Sequence, residues 1–461
     1  MRSLVGLFVA SILLSSTLSL LGNARAEARQ PWKLDGAAER IELHRKGPAT
    51  LQFVLPDGNL RSDSISVEID LQKHDFLFGV AMTQSWALFD QPHFERYRDH
   101  IGELFNSVTL GFFWGEMERQ PGQFRRVEYT ESNLQWAKSR GMTLKGMPLL
   151  WHIVVPKWLD RIKDPEELDR LIADHIRYLV ETYPDIEIWG TFNEVIGALK
   201  PLVQENAIVR WAKHKGGTSA AQAWVLKTAQ EVVSGKRNII NHYTHKDPAY
   251  KNLIRYLIET DTQFDAIGIQ THMHTKQNIL TEKALWNLLE EYGAFGKPIH
   301  LTEVTVVSSK PFVTWRDASP HNRAIEKARG EERLALARRS KPELEQYQAS
   351  YIMDFYTLAF SHPAVESITY WSVSDLYEWR GSAGGLLDTE HNPKPAYHAL
   401  KSLIKDKWHT SVSSRTDETG NLTFRGFYGV YRGTATTGGQ KFAFELTHSP
   451  DHKGDYVIRL N

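Results

Sequence analysis

From residue 76 onward the chain alternates short apolar runs with amphipathic stretches, and that alternation restricts its fold more than any other feature. Residues 76–82, 107–113, 143–150, 186–192, 238–242, 266–270, 298–302 and 367–371 are eight candidate strands. Helical patterns lie between them, for example at 94–105, 165–181, 220–233 and 342–359. Asp164 before Pro165 is a helix start, an N-cap residue followed by proline at the first helical position. Eight strand–helix units in this order predict an α/β fold, a closed (β/α)8 barrel. The longest irregular piece, residues 308–340, follows the seventh strand, and its Arg- and Glu-rich part at 323–339 reads as a solvated helix.

β texture flanks this region. Residues 38–75 read as β, with strands at 49–55 and 65–71 joined across the turn signal Pro56-Asp57-Gly58-Asn59. After Trp408, strands recur at 421–424, 441–446 and 456–460, with Gly433, Gly438 and Gly439 marking turns. Neither segment has enough strands for a core of its own. Both adjoin the barrel termini, so together they are expected to form one small accessory β-sandwich. The chain then divides into residues 1–26, 38–75, 76–407 and 408–461: a leader, a first β segment, the barrel and a second β segment.

Arg2, an apolar run at 4–21 broken by Ser and Thr, and then Ala24-Arg25-Ala26 read as a secretory signal cut after Ala26. The expected destination is periplasmic or extracellular, with no membrane attachment after cleavage. There is no cysteine, so an exported chain would rely on its core rather than on disulfides. Lys+Arg and Asp+Glu are 55 each. That balance argues against nucleic-acid binding, which draws on phosphate neutralisation. No metal or other cofactor is expected, and nothing in the pattern sets an oligomeric state.

Two of the strands end in a carboxylate. Ile186-Glu187-Ile188-Trp189-Gly190-Thr191-Phe192-Asn193-Glu194 closes the fourth, and Lys297-Pro298-Ile299-His300-Leu301-Thr302-Glu303 closes the seventh. Barrel chemistry sits at the carboxyl ends of the strands, so Glu194 and Glu303 reach one rim. Among 55 acidic residues such a pair also arises as salt-bridged rim residues; its place at the end of apolar strands is what favours chemistry. Cleavage of a glycosidic bond with retention needs two carboxyls about 5–5.5 Å apart, one as nucleophile and one as acid/base. The acid holds its proton near neutrality only if burial and a negative neighbour raise its pKa.

Residues 189–194, Gly268-Ile269-Gln270-Thr271-His272, residues 298–303 and Trp371-Ser372-Val373-Ser374-Asp375-Leu376-Tyr377-Glu378-Trp379 resemble glycoside hydrolase family 10. Leu386-Leu387-Asp388 and Lys394-Pro395-Ala396-Tyr397 extend the match, which runs over residues 76–403. The best-known members of that family are endo-β-1,4-xylanases. The resemblance implies that Glu194 is the acid/base and Glu303 the nucleophile. It implies that Asn193 bonds the sugar 2-hydroxyl, that His272 orients the nucleophile, and that Trp151 lines the subsite of the sugar being cleaved. Trp371 and Trp379 match aromatic walls near the scissile bond. Gln270, on the same strand face as His272, and His152 beside Trp151 join the substrate-binding set. For Trp151 and His152 ordinary rim packing is the competing reading. The chain departs from the family at Thr109-Leu110-Gly111-Phe112-Phe113-Trp114, which is shorter and lacks the usual polar groups. It also departs at Met147 in place of histidine, at Val154 in place of glutamine, and at Asn241-His242-Tyr243 in place of Asn-Asp-Tyr.

Two rivals stand beside this reading. His272 and His274 share one side of a strand at a spacing that suits zinc, with Asp265 and His300 as further ligands of a metal-dependent hydrolase. Alternatively, the aromatic cleft and the β module belong to a glycan-binding protein without catalysis, which the missing sugar contacts favour. The sequence is best read as a secreted, cofactor-independent retaining β-glycosidase whose partner is a polysaccharide or oligosaccharide. Xylan is the first substrate and a different polysaccharide the alternative.

Overall fold

The structure is a computed structural model that describes residues 30–460, apart from 31, 55–64, 84–88, 90–92, 202, 233–234, 244–245 and 377. The leader at 1–26 and the turn signal at 56–59 lie outside the described residues.

Two strands, β1 (Lys46–Val54) and β2 (Ser66–His74), precede the barrel. The barrel strands are β3 (Leu77–Ala81), β4 (Ser107–Gly111), β5 (Thr143–Met147), β6 (Ile188–Gly190), β7 (Arg237–His242), β8 (Ala266–Met273), β9 (Ile299–Val306) and β10 (Val365–Tyr370). They close on themselves in chain order, each paired in parallel with its neighbours. All eight expected strands are present. Every residue of β8 and of β9 is buried, as a strand covered on both faces requires. Helix Pro165–Thr182 starts where expected: the Asp164 side chain accepts the Glu166 N–H at 3.1 Å.

β11 (Ser411–Arg415), β12 (Asn421–Phe427), β13 (Gly429–Thr437), β14 (Gln440–His448) and β15 (Tyr456–Arg459) follow the barrel. They combine with the first two strands into two sheets, ordered β12-β1-β15 and β11-β2-β13-β14. The sheets meet through inward side chains such as Phe53 and Phe444, whose rings cross edge-on at 5.7 Å. The accessory sandwich is thus built from both ends of the chain. It is fastened to the barrel at Trp408, which is 1% exposed, stacks on Phe78 at 5.6 Å and touches Phe360 at 4.4 Å. Arg45 adds a second tie. Its guanidinium donates to the carbonyls of Phe360, His362 and Val365 at 2.6–2.7 Å, carbonyls at and just beyond the end of helix Pro342–Ser361.

Three expectations need correction. Gly433 lies within β13, paired with Phe444 and Ile69, and not at a turn. The segment at 38–75 is not all β, because Ala37–His44 is a helix. Ala37 and Ile41 are its buried residues, four apart, and Ala, Glu, Arg and Leu favour the helix. The stretch at 323–339 is not one helix but parts of two, Trp315–Lys327 and Gly330–Leu336. Ala328 and Arg329 are extended between them, and Gly330 has φ +51°, a conformation glycine takes readily. Among the described residues no helix is long and apolar enough to cross a membrane.

Trp408→Ala should open a large cavity between barrel and sandwich and destabilise the protein by about 3–5 kcal/mol, measured by denaturant unfolding. A loss below about 1 kcal/mol would show that this contact does not hold the two parts together.

Candidate active site

The carboxyl ends of β6 to β9 carry the polar cluster. After β6 the chain makes a short strand, Phe192–Asn193, that pairs in parallel with Leu150–Trp151 and sets Asn193 against Trp151. Glu194 follows in the left-handed region, φ +55° and ψ +30°. A non-glycine residue there carries about 1–3 kcal/mol of strain and persists only where its surroundings over-determine it. Here the Glu194 N–H donates to the Asn241 carbonyl at 3.0 Å, and its own carbonyl accepts the Gly197 N–H at 2.8 Å.

Glu303 lies inside β9 rather than at its end. Opposite β8, Ile269 pairs with Leu301 and Gln270 with Glu303, so Thr302 is an extra residue. Such a bulge re-aims the side chains beside it. The Thr302 hydroxyl donates to Asn241 Oδ1 at 2.5 Å, which leaves the Asn241 amide nitrogen facing the site. That nitrogen donates to Glu303 Oε1 at 2.9 Å and to Asn193 Oδ1 at 2.8 Å. Gly268 lets this happen, since a Cβ there would lie 2.5 Å from the Ile240 carbonyl and 2.9 Å from Asn241 Oδ1. Asn241 ties three barrel strands together, yet its sequence signal was only its match to the first residue of the family's Asn-Asp-Tyr.

One strand holds both acids. On β8, Gln270 Nε2 donates to Glu194 Oε1 at 2.9 Å, and His272 Nε2 lies 2.9 Å from Glu303 Oε2. Trp151 Nε1 donates to Glu194 Oε2 at 3.2 Å. The other nitrogen of His272 lies 3.0 Å from the Thr305 hydroxyl. Burial, with the Arg380 charge adding, holds the imidazole far below its usual pKa, at about 3. In its neutral form His272 donates to Glu303 when Thr305 donates to its other nitrogen. Burial pushes Glu194 up to about 7, and the negative charge of Glu303 adds to it. Burial pushes Glu303 up to about 8 against the pull of the Asn241 amide. Two acids that each feel burial, one of them also the other's charge, keep a proton between them near neutrality.

The remaining expected residues are also near. Trp379 packs its ring 4.9 Å from that of His272, and Trp371 lies 6.1 Å away. His152 is 1% exposed, with its ring 6.4 Å from Phe192. Beside Trp151, at 5.7 Å, sits Phe113, and Met147 places its sulfur 3.7 Å from the Asn241 amide. Where the family pattern has polar groups, this wall is apolar. Glu378 was quoted only as part of a motif, but it is the most heavily bonded acid near the cleft. It accepts from Ser372, the Arg380 and Ser382 N–H groups and the Ser382 hydroxyl, and it lies 3.3 Å from His274 Nε2. Burial opposes its charge, but His274 and Ser382 hold its pKa at about 2.

The candidate metal set is not brought together. His272 and His274 face Glu303 and Glu378 at the carboxyl end. His300 bonds Glu366 near the start of β9, and Asp265 accepts the Asn238 N–H before β8 begins. Among the described residues no group of three His, Cys, Asp or Glu is arranged around a common metal position.

A barrel with two acids converging from its fourth and seventh strands is the frame of a carboxylate-based hydrolase. The chain belongs to glycosyl hydrolase family 10, whose sequence pattern matches residues 69–403. It is 23% identical over 424 residues to the anti-sigma-I factor RsgI6 of Acetivibrio thermocellus, covering 90% of this chain and 48% of that protein. The chain thus spans about half the length of that relative. With endo-1,4-beta-xylanase B of Thermotoga neapolitana it shares 23% identity over 369 residues, covering 75% of this chain and 93% of the xylanase. The crystal structure of native xylanase 10B from Thermotoga maritima has the same fold, with TM-score 0.55 and 22% identity over 72% of this chain and 96% of that one.

A buried acid with a raised pKa binds a proton that the unfolded chain has released, so it stabilises the native state only at low pH. Between the ordinary value of 4.5 and the raised values of about 7 and about 8, stability should therefore fall as pH rises. Unfolding free energies from pH 5 to pH 8 should show that slope in the wild type and a shallower one in Glu303→Gln. Equal slopes would refute the raised values.

Proposed function

We propose that this protein is a retaining glycoside hydrolase that cleaves β-1,4-xylosidic bonds in a xylan-type polysaccharide. The observation that carries the reading is the sharing of β8: Gln270 bonds Glu194 and His272 bonds Glu303, so one strand holds both acids, close enough for the charge of Glu303 to act on Glu194. Family membership and the printed activities of the xylanases supply the bond type. Residues 1–26, read as a secretory signal, put the activity outside the cytoplasm.

In the first step a Glu303 oxygen attacks the anomeric carbon as the glycosidic C–O bond breaks. Glu194 gives its proton to the departing oxygen. Burial raises Glu303 the further of the two, but Asn241 and His272 both donate to it and favour its ionised form, so in this reading Glu194 carries the proton held by the pair. Asn193, anchored by Asn241, is placed to bond the sugar 2-hydroxyl. In the second step water attacks the anomeric carbon of the glycosyl ester, its proton passes to Glu194, and the Glu303–sugar bond breaks. Trp151, Trp371 and Trp379 are the aromatic surfaces around the ring.

A second reading keeps this mechanism and changes the polysaccharide. The apolar wall of Phe113 and Met147 favours it, since buried donors matched to sugar hydroxyls supply much of substrate discrimination.

Glu303→Ala should lower turnover of xylan or an aryl β-xyloside by at least about a thousandfold with the unfolding midpoint retained. The rate of the wild type should fall on the alkaline side as Glu194 loses its proton near pH 7. A near-wild-type rate in Glu303→Ala would refute the assignment of the nucleophile. Tight binding of oligosaccharides with no turnover on a broad panel of polysaccharides would replace the enzyme by a glycan-binding protein.

A further inference from the structure

The segment between β9 and helix Pro342–Ser361 does more than cover the barrel. Residues 378–383 form the turn that carries Trp379 and Arg380, and all six carbonyl oxygens in succession accept hydrogen bonds from it. Arg333 Nη2 donates to the carbonyls of Glu378 and Trp379 at 2.9 and 3.2 Å. His321 Nε2 lies 3.0 Å from that of Arg380. The Arg338 N–H donates to Gly381 at 2.7 Å, the Ser309 hydroxyl to Ser382 at 2.5 Å and the Ser308 N–H to Ala383 at 2.9 Å. From the other side, Glu378 takes the Arg380 and Ser382 N–H groups at 2.9 and 2.8 Å.

The turn is strained as well as bound. Ala383 has φ +55°, a conformation that a non-glycine residue holds only where its surroundings enforce it. Its side chains are fixed in the same way. The Arg380 guanidinium lies 3.9 Å over the Trp379 ring and pairs with Glu326 of the same segment at 2.7 Å. Trp379 in turn packs on His272 and His274 at 4.9 and 5.3 Å. A continuous path of contacts therefore runs from residues 308–338 through Trp379 to the imidazole that bonds Glu303.

We propose that residues 308–338 are a clamp that fixes the Trp379 wall of the sugar cleft, with Arg333 in the clamp and Glu378 within the turn as the two positioning residues. The wall's role in sugar binding rests on the hydrolase reading above; the mechanical role of the clamp does not. A sugar pressed on a rigid wall loses less free energy to ordering the protein. Loosening the wall weakens binding in ground state and transition state alike, which raises KM more than it lowers kcat.

Arg333→Ala tests the clamp from the surface, and Glu378→Gln from beneath. Hydrogen–deuterium exchange should accelerate in peptides covering 378–383 in both variants, while peptides from β12 and β13 keep the wild-type rate. KM for xylan should rise roughly tenfold, with kcat changed less than about threefold. A general loss of stability would instead accelerate exchange everywhere and leave KM unchanged. If Glu378→Gln does not fold, Arg333→Ala alone decides. Unchanged exchange at 378–383 overturns the clamp, and faster exchange with an unchanged KM overturns its part in recognition. A wild-type chain that neither turns over xylan nor binds xylo-oligosaccharides defeats the functional reading and the wall's role with it, while the exchange comparison still decides the mechanical role.

Discussion

Two carboxyl groups that are both shielded from water, one of them feeling the other's charge, resist ionisation, and the top of this barrel is arranged around that difficulty. Among the described residues, neither Glu194 nor Glu303 has a lysine or arginine at hydrogen-bonding distance. Each is met by neutral donors instead: Gln270 and Trp151 for Glu194, Asn241 and the neutral His272 for Glu303. A lysine or arginine in those places would ionise both acids and leave no proton to give. Amide and indole donors position the oxygens while leaving the pKa values high. The orientation of Asn241 is itself set, since the Thr302 hydroxyl claims its oxygen and so fixes which end of the amide faces the acids.

The rest of the fold supplies stiffness to that arrangement. Glu194 occupies a strained backbone conformation, and strain of that kind is held only by a frame that cannot relax around it. Asn241 provides part of the frame, through its carbonyl to the Glu194 N–H and its side chain to Asn193 and Glu303. Farther out, Arg45 and Trp408 join the sandwich to the region where helix Pro342–Ser361 ends and β10 begins. The strand that leads to Trp371 is therefore braced from below as well as from its neighbours.

Much of this was legible in the chain. Eight apolar runs are a periodic signal that depends only on burial, and all eight became barrel strands. Glu194 and Glu303 stood out because each follows such a run. Asn241, by contrast, follows an apolar run like many other polar residues, and its importance comes from a bulge at Thr302 in a different strand. A bulge arises from the pairing of β8 with β9 and leaves no local mark. Helix Ala37–His44 was hidden for another reason: eight residues carry little periodicity, and the neighbouring strands set the reading of the whole segment. The clamp was unreadable because Arg333 and His321 look like the polar face of any solvated helix, and Arg338 donates through its backbone N–H, which no side chain marks. Their carbonyl partners lie more than forty residues onward.

The two walls of the cleft divide the work unequally. On the side of β4 and β5, Phe113 beside Trp151 and Met147 beneath Asn241 offer contact area without donors for hydroxyls. Apolar contact separates substrates weakly, because an added or missing hydroxyl changes little against a surface that bonds none. On the side of β10, every backbone carbonyl of the 378–383 turn is bonded to the clamp. The turn thus presents Trp379 and Arg380 in one fixed place. In the proposed reading, selectivity comes mainly from shape, from how a sugar fits between an apolar wall and an aromatic wall held by the clamp. Hydroxyl recognition is, in the same proposed reading, left to Asn193, Gln270 and the two acids themselves, the groups nearest the bond to be broken. Such a cleft is strict about the geometry of the cleaved linkage and permissive about the sugars farther away.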